Sequence, residues 1–401
     1  MAAAFRSIGV AATVTPDSND ETLALGGLYS SGEECLPHKI TLGDFLRICR
    51  QPGFDPRKAA FFMPRAPGPC RFGQYAPYLQ QVLREQGFGD VVVFSPNSGS
   101  GYEELGAAAG ELMRTGWLAV VCADIALRLL LKTRPYETVA GAADRAFQES
   151  VDDFERVLSE RGLDTDTRLR RLVAAVERAR GRFRGVPACY RKGRPLIGLV
   201  GEIYCRLNTF SNEDTARRIE RLGGECWLSD VSEWVWYTNW CRETDCARDE
   251  GRLNLNYLKL KLKSHVQHKY ERALLAPLAE DFRGYEEPHD IREVLRRSEP
   301  YLPATGALGE MTLSVGKAIY LHDKGADGII DISPFTCMNG IVSEAVYPAV
   351  SAAHDDIPIR ALYFDKVGKH IDRDLEIFLD LARAYQRRKK HPRRYPAYFT
   401  P

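Results

Sequence analysis

Apolar and polar positions along the chain fall into two alternating kinds of segment. Short unbroken apolar runs read as buried strands: one beginning near Ala59, then Val91-Val92-Val93-Phe94, Pro195 to Val200, Cys226 to Leu228, Gly328 to Ile332 and Ile357 to Phe364. Other segments repeat their apolar residues at helical spacing, as in Tyr75, Tyr78, Leu79, Val82 and Leu83, or Phe147, Val151, Phe154, Val157 and Leu158. Strands alternating with helices predict an α/β fold with parallel sheets. A region from about 103 to 185 is helical almost throughout, which divides the chain into an α/β lobe over 1–135, a helical insert over 136–190, a second α/β lobe over 191–390 and a basic tail over 391–401.

Local signals fill in this outline. The first residues read as a helix ending at Gly9, followed by a strand from Val10 to Val14. A strand expected before that helix is missing, which implies one part of a longer architecture or a start codon placed late. Asp20 to Tyr29 is a short capped helix, and Pro37 suits the first turn of a helix continued by Ile40, Phe45, Leu46 and Cys49. Near the end, Glu310 to Lys324 and Asp372 to Tyr385 are helices, the latter with acids first and bases last, as the helix dipole prefers.

Composition narrows the function classes. Of the 401 residues, 44% are hydrophobic and 27% charged, and no apolar run approaches a membrane span, so neither a membrane nor, at a net charge of +1, a nucleic acid is an expected partner. The basic run Arg387 to Arg394 is expected to be solvated. Ten cysteines without a signal peptide suit a reducing cytoplasm, where thiols serve packing, catalysis or metal binding. Cys241 and Cys246 lack the spacing of a zinc knuckle, and the three tryptophans between Glu233 and Trp240 read as an aromatic core patch. The loop Ser95 to Tyr102 enters a helix and could hold an anion or simply connect.

Three cysteines share a context. In Phe61 to Tyr75 an apolar run stops in a Pro/Gly turn and delivers Cys70 to a helix start, where the dipole and free N–H groups favour a thiolate. Cys35 and Cys337 follow similar turns. Each is either inert packing or a ligand, and three thiolates converging between lobes would suit an iron-sulfur cluster with one iron left open. Glu202, Arg206 and Asn208 follow the strand ending at Val200, the position at which open α/β sheets place ligands.

Four motifs then resemble a known family. Ser31-Gly32-Glu33-Glu34-Cys35-Leu36-Pro37 with Leu42-Gly43-Asp44-Phe45, Phe62-Met63-Pro64 through Gly68-Pro69-Cys70-Arg71-Phe72-Gly73-Gln74-Tyr75, Gly201-Glu202-Ile203-Tyr204 with Arg206, Asn208 and Phe210-Ser211-Asn212, and Pro334-Phe335-Thr336-Cys337-Met338 are similar to acyl-CoA dehydratase activase-related proteins, relatives of 2-hydroxyacyl-CoA dehydratase subunits and double-cubane cluster proteins. The likeness runs in order from the first helix to Leu381. It implies two Rossmann-like lobes and an oxygen-sensitive cluster, 4Fe-4S or double-cubane, ligated by Cys35, Cys70 and Cys337, with Glu202, Arg206 and Asn208 in the same cleft. It further implies an ATP-dependent activase as electron donor, pairing of two lobed chains as a homodimer or heterodimer, and an acyl-CoA or other small molecule as acceptor. A non-enzymatic electron relay that docks the activase is the alternative. Asn339 stands where relatives often carry proline. No phosphate loop of an activase-type ATPase is present, so ATP hydrolysis is expected of the partner.

Overall fold

The computed structural model describes residues 1–66, 68, 70–97, 106, 108–190, 193–306, 309–366 and 371–395. The fold is α/β, with two parallel sheets and helices around them. β1 (Ala60–Phe62) pairs with β2 (Val92–Phe94), Phe61 opposite Val93. The larger sheet holds β3 (Leu196–Gly201), β4 (Glu225–Leu228), β5 (Gly328–Pro334) and β6 (Ile359–Phe364) in the order β4-β3-β5-β6, all parallel. Chain order therefore reverses direction between β3 and β5. That switch point opens a crevice at the carboxyl ends of the strands.

The larger sheet is covered on both faces, which is why its central strands are continuous apolar runs and not alternating ones. Ile197 and Leu199 face a core with Leu36, Ile40, Ile219, Leu375 and Phe378, from the helices Leu36–Cys49, Thr215–Arg221 and Ile371–Arg388. Leu196 and Val200 face the opposite core with Val315, Ile319, Tyr347 and Val350, from Glu310–Asp323 and Met338–Ala353. The helix Leu36–Cys49 also turns Leu42, Phe45, Leu46 and Cys49 into a separate core around β1 and β2. It thus belongs to both lobes.

A third body is all helix. Ala109–Thr133, Ala142–Ser159 and Thr165–Arg184 pack with Val231–Asp249 and Leu255–Leu275 around one apolar core, so residues on both sides of β3 and β4 build it. Trp236 is buried there, edge-on to Trp117 at 4.9 Å, and Trp234 and Trp240 pack against the rim. No described helix is long and apolar enough to cross a membrane.

Two sequence expectations fail. Val10 to Val14 forms no strand, and Val10 and Val14 are 48% and 77% exposed. β-branched residues make a strand only where a free edge and apolar surface receive them, and this segment has neither. The expectation of a solvated basic tail holds for Arg387, Arg388, Lys390 and Arg394, which are exposed, and fails for Lys389 and Arg393. Lys389 pairs with Asp327 at 2.6 Å and Arg393 with Glu225 at 2.6 Å. Both carboxylates are buried at the amino edge of the larger sheet and need a counter-charge, which the tail supplies. The loop expected to hold an anion lies largely outside the described residues, from 98 to 102.

Arg393→Ala tests the tail's role. Glu225 would keep the hydroxyl donors of Tyr136 and Tyr285 but lose its ion pair. Urea denaturation should show a loss of about 3 kcal/mol, at the low end for a broken buried pair. A solvated tail would show a change near zero.

Candidate metal centre

Cys35, Cys70 and Cys337 each occupy the N-cap of a helix. Cys35 precedes Leu36–Cys49, Cys70 precedes the 3-10 turn Arg71–Gln74 that runs into Tyr75–Glu85, and Cys337 precedes Met338–Ala353. The local cause is the same in each case. A turn residue ends the preceding segment, the cysteine keeps extended dihedrals, and the unpaired N–H groups of the first turn lie around its sulfur. The N–H of His38 is directed at Cys35, that of Phe72 at Cys70, and those of Gly340 and Asn339 at Cys337.

Arg71 ties the three loops together. Its Nη1 donates to the carbonyl of Glu33 at 2.5 Å and to the hydroxyl of Thr336 at 3.1 Å. One guanidinium thus joins the residue after Cys70 to the residue before Cys337 and to a residue two before Cys35. Thr336 has a φ of +66°, a left-handed conformation rare for a β-branched residue. Such strain persists only where surroundings hold it, and it tends to mark functional sites. Cys35 Sγ is also hydrogen-bonded to Tyr75 Oη at 2.8 Å.

Carboxyl groups close the cradle from the sheet side. Gly201, at φ +115°, bends the end of β3 so tightly against β5 that a Cβ would lie 2.2 Å from the Ile332 carbonyl. The next residue, Glu202, caps Ile203–Leu207 by accepting the N–H groups of Tyr204 at 2.9 Å and Cys205 at 2.6 Å. Glu310 accepts the N–H of Ile203 at 2.9 Å and the side-chain amide of Asn339 at 3.1 Å. Burial, with Glu202 as a second cause, pushes the Glu310 carboxyl up to about 8.

The expected preference for thiolate is reversed in this protein. Burial raises all three thiols, Cys337 to about 12, and the charges of Glu202 and Glu310 push Cys70 and Cys337 further in the same direction. The helix N-terminus lowers a thiol pKa by a modest interaction that desolvation and two acidic neighbours outweigh.

Of the other expected site residues, Arg206 is buried beside the cradle, and among the described residues its side chain has no ion pair and its Nε no hydrogen-bond partner. Asn208 is occupied otherwise. It accepts from the Ser211 N–H at 2.8 Å and donates to Ser18 at 3.2 Å, which in turn donates to Asp44 at 2.7 Å. That chain clamps the turn after β3 to the helix Leu36–Cys49. Sequence reasoning passed over Glu310, Asn339, Thr336, Tyr75 and the bridging part of Arg71. Arg71, Tyr75 and Thr336 stand inside the family-like motifs and Asn339 at a departure from them, whereas Glu310 carried no signal.

Thiols with backbone N–H groups aimed at them are a donor type that an iron-sulfur cluster would accept. Among the described residues no three His, Cys, Asp or Glu side chains are close enough to hold one metal ion. N–H groups aimed at each sulfur are the hydrogen bonds that such clusters use.

Two substitutions separate these roles. Asn208→Ala should cost about 1–2 kcal/mol in urea denaturation through its lost lobe clamp. Arg71→Ala should leave global stability within about 1 kcal/mol, while amide exchange quickens at residues 33–37 and 335–338 together. Quickening at one loop alone would contradict the bridge. No family model, curated protein or solved structure matches the chain.

Proposed function

We propose that the chain is an iron-sulfur protein that takes low-potential electrons from an ATP-dependent activase carrying its own cluster and passes them to an acyl-CoA or other small substrate. The observation that carries this reading is the convergence of three N-cap cysteine loops on one guanidinium, at the switch point of a parallel sheet. Family-like motifs at the same three positions support it. The setting would be cytoplasmic, in a chain paired with itself or with a second lobed chain.

Cys35, Cys70 and Cys337 would hold the cluster, which supplies one-electron reduction of a substrate that two-electron chemistry cannot activate. The chain's own residues set the conditions. N–H groups of His38, Phe72, Asn339 and Gly340 offset the charge on the sulfurs. Glu310, whose carboxyl burial pushes up to about 8, would be able to donate a proton beside the cradle. Arg71 would hold the three loops together.

Anaerobic reconstitution tests the proposal. Wild-type protein should turn brown and carry about four irons with matching sulfide, or a multiple of that for a double cluster. Cys35→Ser, Cys70→Ser and Cys337→Ser should each lower the iron content and change the electron paramagnetic resonance signal. Colourless, sulfide-free protein, or variants that keep the full iron content, would sink the reading.

A further inference from the structure

The three sulfurs of the cradle are not equivalent. Among the described residues, Cys70 takes a main-chain donor from Phe72, and Cys337 takes those of Gly340 and Asn339. Cys35 takes the N–H of His38 and, in addition, has a side-chain partner, the hydroxyl of Tyr75 at 2.8 Å from its sulfur. That partner comes from another cysteine's loop, because Tyr75 opens the helix Tyr75–Glu85, five residues after Cys70. One hydrogen bond therefore joins the loop of one cysteine to the sulfur of a second.

Packing fixes the phenol in that position. Tyr75 is 7% exposed, with Phe72 edge-on at 5.5 Å and the ring of His38 at 5.0 Å. Burial, and then the neighbouring Cys35, push its pKa up, so the hydroxyl keeps its proton. Between a phenol and a free thiol either group can donate. A thiolate that ligates a metal has no proton and only accepts, so Tyr75 must then be the donor. Gaining an electron makes a cluster more negative, and a fixed O–H dipole aimed at its sulfur stabilises the reduced form more than the oxidised one.

We propose that Tyr75 is a positioning residue whose hydroxyl, donating to the Cys35 sulfur, raises the reduction potential of the group held by the cradle. This rests on reading the cradle as an iron-sulfur centre. It goes further in naming a side chain that sets the potential and the corner at which it acts.

Redox titration of anaerobically reconstituted protein, followed by electron paramagnetic resonance, tests the assignment. Tyr75→Phe removes one oxygen and keeps the ring packing, so iron content and melting temperature should match wild type. Its one-electron reduction equilibrium should shift about tenfold toward the oxidised form, a midpoint lower by about 59 mV. Site-specific replacement of Tyr75 by 3-fluorotyrosine, a more acidic phenol and stronger donor, should move the midpoint the other way, which a merely structural role would not. Tyr78→Phe is the control, since that hydroxyl bonds the Tyr29 carbonyl and no sulfur, and its midpoint should stay at the wild-type value. An unchanged or raised midpoint in Tyr75→Phe, an equal fall in Tyr78→Phe, or a 3-fluorotyrosine midpoint at or below wild type would overturn the proposal and leave the cluster reading standing. Loss of iron in Tyr75→Phe would give the hydroxyl a part in assembly and overturn it too. Wild-type protein that takes up neither iron nor sulfide would overturn both.

Discussion

The cradle depends on one helix serving two cores. Leu36 and Ile40 pack on the face of the larger sheet, against Ile197 and Ile330, while Leu42, Phe45 and Leu46 pack around β1 and β2. Each fully buried aliphatic side chain is worth about 1.5–3 kcal/mol, so the helix cannot rotate to favour either lobe without losing several such contacts. Its neighbour Asp20–Leu28 locks the axis. A Cβ at Gly43 would lie 1.9 Å from the Thr22 carbonyl and one at Gly26 would lie 1.8 Å from the Lys39 carbonyl, so the two backbones touch where no side chain fits. Fixing that axis fixes its N-cap, and the N-cap is Cys35.

The other two cysteines are placed by the sheet and by the strain beside it. Cys337 follows directly from β5, where Thr336 is held left-handed, and its helix then returns along the sheet. Cys70 belongs to the small sheet's lobe and reaches the crevice through Arg71. The three cysteine loops, from different packing units, are therefore bridged by Arg71 only if both lobes dock as they do. The clamp from Asp44 through Ser18 to Asn208 acts on the same docking, so Asn208 serves the site by holding the geometry and not by chemistry.

The elements with a strong period were legible in the sequence. The six apolar runs all became strands within a few residues, and the turn chemistry placed all three cysteines at helix starts. What could not be read depended on distant partners. Val10 to Val14 has strand composition but no edge to join, and the tail's bases look solvated until Glu225 and Asp327 are seen buried across from them. Glu310 looked like an ordinary first-turn acid. Its role beside the cysteines comes from a 107-residue separation that brings its carboxylate to the Ile203 N–H.

Charge around the crevice follows one pattern. Buried acids collect at the carboxyl ends of the strands, and buried cations or hydrogen-bond donors meet them: Arg128 with Asp230, Lys317 with Glu233, Tyr347 and Ser333 with Asp331. Burial first, and then the charges of Glu202 and Glu310, raise the Cys70 and Cys337 thiols. A cationic group bound by the sulfurs would reverse that balance, releasing thiol protons as it binds and relieving the repulsion among the acids. The same crevice holds Arg206, which makes no ion pair among the described residues but whose charge lowers the carboxyls of Glu202, Glu233, Glu310 and Asp331.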